Sequence, residues 1–271
     1  MATSPSDSTS THFKRSNNKN IEKHQLENIL LLKLFLKVYI NLILFYKKIY
    51  PENCFTSKLN SEQIFNLSIH LPIIRHPYVN EYIEKIIDSF VNDVLLVNFT
   101  YLLEDNNNEL IVLNDTGDVS MIDRGKSIND IKFMLDLNEV YFETSNDIIK
   151  EHLNDRFVLD FATFPIDFYQ NVKNQMIVSC FRENIVSLNT FLTLNPRINK
   201  STDFLLNGKL KNDRFFKVKV YLPSQFTLTE ASQFDWIYRN NDLKNNYKSK
   251  TQLKELEFAE NITIYSYVER Y

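Results

Sequence analysis

The residues able to do chemistry are few and poorly grouped. His70 and His76 lie six residues apart, which fits no helical or strand-type ligand spacing, and the next carboxylate is Glu81, so a zinc site is not expected there. Cys54 and Cys180 are the only cysteines, too few for a disulfide framework or for a zinc site made of thiolates. Cys180 falls on an apolar helical stripe, where it reads as a small buried hydrophobe and not as a nucleophile. The three glycines, Gly117, Gly125 and Gly208, are isolated, which excludes phosphate-cradling loops and dinucleotide turns. The acidic residues form no Asp-x-Asp-x-Asx-Gly calcium loop. Asn-x-Ser/Thr triplets at Asn66, Asn98, Asn199 and Asn261 are chance products of an asparagine-rich chain. No catalytic residue, metal or cofactor is expected, and the chain reads as a soluble binding protein.

At 271 residues with a net charge of −3 and a pI near 6.0, the chain has material for a large core and no uniformly basic surface. Any contact with DNA is therefore expected to be indirect. The cysteine usage suits a reducing compartment, and no secretory signal is visible. Residues 1–20, rich in Ser, Thr, Asn and Lys, read as a disordered tail.

From 26 to 50 the apolar residues are nearly continuous. Lys33, Lys37 and Asn41 recur every four residues on one narrow stripe, leaving Leu32, Phe35, Leu36, Tyr39, Ile40, Ile43, Leu44 and Tyr46 around the rest. Two lysines near the middle of a membrane span would each cost about 2.5–3.5 kcal/mol, so the segment is expected to be a buried core helix, with no membrane role. Pro51 stops it, and Lys47 and Lys48 complement its C-terminal dipole. After a loop over 52–75, Pro77 opens a second helix. Its apolar face carries Val79, Tyr82, Ile83, Ile86, Ile87, Phe90, Val91 and Val94.

A strand is expected at 97–103. Residues 104–155 hold thirteen acidic and four basic residues, a net −9 against +6 for the remainder, and read as a solvated acidic insertion between two strands. A strand at 156–161 follows, then a helix near 172–194 with Ile177, Cys180, Phe181, Ile185, Leu188, Phe191 and Leu192 as its stripe. Strands at 215–222 and 262–268 alternate cleanly, the first placing Phe216, Val218, Val220 and Leu222 inward and the second opposing Ile262, Ile264, Ser266 and Val268 to Thr263, Tyr265 and Tyr267. Helices and strands do not alternate strictly, which points to an α+β fold.

Two stretches of letters carry a resemblance: Tyr39-Ile-Asn-Leu-Ile-Leu-Phe-Tyr-Lys-Lys-Ile-Tyr-Pro51 and Leu71-Pro-Ile-Ile-Arg-His-Pro-Tyr-Val-Asn-Glu-Tyr-Ile83. Phe157-Val-Leu-Asp-Phe161, Phe181-Arg-Glu-Asn-Ile-Val-Ser-Leu188, Phe234-Asp-Trp-Ile237 and Tyr267-Val-Glu-Arg270 follow in order. The chain resembles the HORMA domain family and, within it, the accessory subunits of translesion DNA polymerase zeta. The resemblance implies an α+β domain over 21–271, with three main helices on a mixed, mostly antiparallel sheet and a C-terminal seatbelt over about 223–271. It implies a nuclear, non-catalytic adaptor in error-prone bypass of damaged DNA. Its partners would be a peptide of the catalytic subunit, held under the seatbelt, and a Y-family scaffold polymerase.

By the same resemblance Tyr82 and Trp236 match contacts to the catalytic chain, and Tyr265 and Tyr267 match the surface that meets the scaffold polymerase. Other readings stand beside these. Periodicity alone puts Tyr82 in the core; Trp236 is equally a core or an interface residue, and so are the two tyrosines of the last strand. A spindle-checkpoint or cell-cycle member of the family, gripping a different closure peptide, is the second reading. Asn189 stands where some relatives carry an arginine used in dimerisation, so self-association is not carried over.

Overall fold

The computed structural model describes residues 16–56, 65, 67, 69, 71–96, 102–104, 110–113, 119–121, 131–143, 148–163, 173–195, 213–222, 246–259 and 262–271. Helix α1 runs over Ser16–Tyr46, so residues 16–20 of the expected tail are helical, while 1–15 lie outside the described residues. By length and composition Leu26–Tyr46 passes for a membrane span. It is instead the centre of the core, with Leu32, Phe35, Leu36, Val38, Tyr39, Ile40, Leu42, Ile43 and Leu44 all buried.

The polar stripe of α1 turns towards the second helix and not towards open solvent. Helix α2, Pro77–Ser89, starts on Pro77 as the sequence predicts. Lys33 pairs with Asp88 at 2.7 Å and Lys37 with Glu84 at 2.5 Å. Asn41, fully buried, donates to the Lys37 carbonyl at 2.8 Å and accepts from the Ile74 amide at 2.8 Å. The third lysine pair of α1 lies at its exit. The helix ends before Pro51, because the Lys48 backbone turns left-handed at φ 52°. The Lys48 amide then bonds to the Phe45 carbonyl and the Ile49 amide to the Leu44 carbonyl, both at 3.0 Å, which is the Schellman reversal, here without its usual glycine. Lys47 is buried against Asp155 at 2.9 Å, so it serves a buried ion pair and not merely the helix dipole.

A helical path continues past α2 as a wider π-type turn over Phe90–Leu96, buried at Phe90, Val91, Val94 and Leu95. Of the strand expected at 97–103, only Leu102 and Leu103 are described, and both are extended. Residues 97–101 lie outside the described residues, and extended structure begins with β3 after the short pair β1, Phe55–Thr56, and β2, Ile73–Ile74. Strands β3, Leu102–Glu104, β4, Leu110–Leu113, and β5, Val119–Met121, form a small antiparallel sheet.

The main sheet corrects the largest expectation. Much of the stretch read as an acidic insertion, 104–155, is its centre: β6, Lys132–Glu143, and β7, Ile148–Thr163, form a long antiparallel hairpin. On one side β6 pairs with β8, Asp213–Tyr221, and on the other β7 pairs with β11, Ile262–Arg270. The outer edge of β11 is shared by β9, Ser249–Gln252, and β10, Leu256–Ala259. Composition misled because four of these acidic residues are matched by cations on neighbouring strands or at the exit of α1. Asp136 is bound by Arg156 and Lys219, Glu139 by Arg214, Glu151 by Lys217, and Asp155 by Lys47.

Alternate residues of this sheet face the helices. Phe133, Leu135 and Leu137 of β6, Phe157, Leu159 and Phe161 of β7, and Ile264 and Val268 of β11 are buried with α1. Against them packs α3, Asn174–Leu194, whose predicted stripe is buried except for Cys180, which is half-exposed. Phe181 stacks on Phe35 at 4.3 Å and meets Phe65 and Phe258 edge-on, each at 5.7 Å. One ring thus joins α1, α3 and β10. Truncating it, Phe181→Ala, should cost about 3–5 kcal/mol, read as a lowered urea midpoint with an unchanged m-value.

Candidate functional site

An antiparallel sheet leaves its outermost strands with backbone donors and acceptors pointing outward. Among the described residues no strand pairs with the outer edge of β8, nine residues long. Its inward face, Phe216, Val218 and Val220, packs on the core as predicted, and Lys217 and Lys219 point the other way to Glu151 and Asp136. An extended peptide laid along this edge would gain main-chain hydrogen bonds directly.

Beside the edge stands an aromatic wall. Tyr82 lies at the margin of the α2 stripe, whose other members Ile83, Ile86 and Ile87 are buried, and it is itself 41 % exposed. Its ring is 5.9 Å from Phe216, and Tyr50 meets the same Phe216 edge-on at 6.4 Å. Burial raises the phenol pKa of both tyrosines above the ordinary value, with Tyr82 and Cys54 adding to the effect at Tyr50. Both therefore remain O–H groups at neutral pH. The wall offers apolar faces with polar tips, the composition of an anchoring pocket.

The wall is held by charge and capping. Lys37 reaches from α1 to Glu84, two residues beyond Tyr82, and Asn80 donates to the same carboxylate at 3.1 Å. The Lys37 hydrogen bond holds the Glu84 carboxyl below its ordinary pKa, against the opposing effect of its burial. Arg75 donates through Nε to the Phe55 carbonyl at 3.1 Å, which ties the entry of α2 to β1. The family resemblance singled out Tyr82, which periodicity alone puts in the core; Tyr50 and Phe216 are distant in sequence, and only the fold brings them together.

The other predicted residues are placed differently. Trp236 lies outside the described residues, as does the whole segment 223–245, and so does His70. Tyr265 and Tyr267 share the sheet face turned away from the helices, as the alternation predicts. Tyr265 is 38 % exposed, but Tyr267 is only 6 % exposed, packed with Met134, Val158 and Tyr221. Lys250 Nζ stands 3.6 Å from its ring centre. Burial and the nearby Asp160 and Glu269 carboxylates push its phenol pKa upward. Of the pair, Tyr265 presents a surface and Tyr267 supports it.

Next to these tyrosines runs a charged network. Asp136, fully buried, accepts from Arg156 Nε at 2.6 Å and Nη2 at 3.0 Å, and pairs with Lys219 at 2.7 Å. Arg156 also donates to the Tyr271 hydroxyl at 2.9 Å, and that hydroxyl donates to Glu269 at 2.8 Å. Burial opposes the Arg156 charge, yet the Asp136 hydrogen bonds and charge leave its pKa raised. Among the described residues no group of three His, Cys, Asp or Glu is placed to hold a metal ion.

Three helices against one face of an antiparallel sheet, with a C-terminal strand seated beside the central hairpin, make this a HORMA fold. Over 89 % of its length the chain superposes on 97 % of a chain in the crystal structure of a mitotic checkpoint complex, with a TM-score of 0.53 at 14 % identity. Caenorhabditis elegans HTP-2 bound to a HIM-3 closure motif aligns over 88 % of both chains with a TM-score of 0.47 and 10 % identity.

In sequence the chain is similar to the DNA polymerase zeta processivity subunit of Saccharomyces cerevisiae, 38 % identical over 82 residues. That match spans 30 % of this chain and about a third, 33 %, of the relative. No family model matches.

The Lys37–Glu84 pair yields a pH test. Because the folded-state pKa of Glu84 is lowered, its contribution to stability is present above the unfolded-state value and lost as the pH falls through the folded one. Glu84→Gln should cost up to about 1 kcal/mol at pH 7, the range of a partly exposed pair. The difference from the parent should begin to shrink near the ordinary value of 4.5 and vanish once the pH is below the lowered folded-state value, measured by urea unfolding across pH.

Proposed function

We propose that this chain is a non-catalytic HORMA adaptor of translesion DNA polymerase zeta, working in the nucleus during error-prone bypass of DNA damage. The open β8 edge beside Tyr82, Tyr50 and Phe216 is the observation that carries the reading. The similarity to a polymerase zeta processivity subunit supports the choice of complex. In this reading an extended, proline-containing segment of the catalytic subunit adds to β8 as a further strand. Its side chains anchor on Tyr82, and the part of the 223–271 segment that carries Trp236 closes across it, while the final strands of that segment stay on the far side of the sheet. No reaction chemistry is assigned to the chain; it acts by holding partners together, and DNA is met only through them.

The second contact uses the opposite sheet face. Exposed Tyr265, supported by buried Tyr267, is proposed to meet a Y-family scaffold polymerase. The two surfaces lie on different sides of the sheet, so one partner need not displace the other.

The test is titration of the full chain with proline-containing peptides of the catalytic subunit. The double variant Tyr82→Ala, Trp236→Ala should bind at least about 30-fold more weakly, the equivalent of about 2 kcal/mol for a pair of aromatic anchors, while its unfolding midpoint stays near that of the parent. Undiminished affinity in a folded double variant would remove the site assignment. Capture of a checkpoint closure motif in place of the polymerase peptide would favour the second family reading, as would loss of mitotic arrest without loss of damage-induced mutation in cells lacking the protein.

A further inference from the structure

The sheet has a second edge, and it is treated differently from β8. Three polar side chains on one face of α3, Cys180, Asn184 and Ser187, are aimed at the backbone next to β10 and not at any side chain. Cys180 Sγ donates to the Glu257 carbonyl at 2.9 Å, Asn184 Nδ2 donates to the Lys254 carbonyl, and the Lys254 amide donates to Ser187 Oγ at 3.1 Å. On its other side the same segment is bonded to β11, through the Leu253 amide to the Ser266 carbonyl at 2.8 Å and through the β10 pairing. Backbone groups that would otherwise face outward are thus satisfied by a helix.

The spacing makes this possible. Seven residues of helix, from 180 to 187, rise about 10 Å at 1.5 Å each, and three extended residues, from 254 to 257, span about 10 Å at 3.3 Å each. Donors or acceptors at positions i, i+4 and i+7 of a helix therefore come level with backbone groups three residues apart on a strand running beside it. Asn184 is fully buried, so its amide has no water to fall back on. Burial first, then the Glu183 charge, raises the Cys180 thiol to about 11, which keeps the hydrogen it donates.

We infer that Cys180, Asn184 and Ser187 are positioning residues, a backbone-reading rail that holds residues 253–258 on α3 and covers this edge of the sheet against an added strand. The inference rests on the docking role proposed for β8, since covering the β10 edge leaves the nine-residue β8 edge against the four-residue β9 as the place for an extended partner. It also assigns the C-terminal segment a hold that does not depend on its side chains.

The test is hydrogen exchange on the full chain with no peptide present, so that a failure of β8 docking leaves the result readable. In Cys180→Val, Ser187→Ala the amides of residues 254–258 should exchange at least about tenfold faster, while those of β6 and β7 keep their protection. The conservative pair Cys180→Ser, Ser187→Thr, which retains both hydrogen-bonding groups, should restore protection. Unchanged exchange at 254–258 in the first pair, equal acceleration in β6 and β7, or no difference between the two pairs would each overturn the rail. Should the double variant not fold, Ser187→Ala alone is read at the Lys254 amide, with the same acceleration expected and unchanged protection counting against the proposal.

Discussion

The constraint on which the structure depends is that α1 has no side fit for water. Its one polar stripe is a single residue wide and is consumed by α2 through Lys33–Asp88 and Lys37–Glu84, and by β2 through the Ile74 amide, which donates to Asn41. Every other direction must meet apolar surface, and burial at about 25 cal/mol per Å² gives a helix this long a large driving force for being enclosed. A sheet supplies one flat wall, α3 and α2 the others. Phe35 on Phe181 is where the enclosure closes on the α3 side. The same helix that would suit a bilayer by composition is enclosed here by protein from Leu32 to Leu44, while Leu26 and Leu30 nearer its start stay exposed.

An enclosing sheet brings two edges, and their contrast is the basis of the functional reading. The β10 edge is met by side chains of α3, whereas the β8 edge is bordered by aromatic rings that leave its backbone unpaired by any described strand. A free edge is a hazard for aggregation unless it is short, charged or reserved for a partner. Here the rings of Tyr82, Tyr50 and Phe216 add side-chain selectivity to backbone affinity, which distinguishes a docking edge from a merely exposed one.

Periodicity and letters carried the helices well, because each buries one continuous stripe: Pro77 opens α2 and the α3 stripe is buried nearly throughout. The termini of α1 were less legible, since Lys48 makes the left-handed reversal that a glycine would have announced. The hairpin of β6 and β7 was hidden for an electrostatic reason. Asp136, Glu139, Glu151 and Asp155 looked like a solvated run only while their cations, on Arg156, Lys219, Arg214, Lys217 and Lys47, were unassigned in space. At the site, Tyr82 was legible from the family letters, its helix pattern alone putting it in the core, whereas Phe216 was legible only as an inward residue of a strand. Its role follows from the strand being outermost, and strand order is a tertiary fact.

The buried carboxylate of Asp136 also fixes the register of the sheet. Asp136 sits opposite Arg156 on β7 and opposite Lys217 on β8, with Lys219 reaching it from the next position. A slip of one residue would turn Asp136 towards the phenylalanines of the helix-facing side and leave it unpaired, and breaking a buried pair in that way costs about 3–5 kcal/mol. The last strand is drawn into the same network, because Arg156 also meets Glu269 and the Tyr271 hydroxyl. Apolar residues at these positions would stabilise a sheet equally well but would tolerate neighbouring registers. The charges favour the one register in which Ile264 and Val268 reach the core, Tyr265 remains at the surface and residues 253–258 come level with α3.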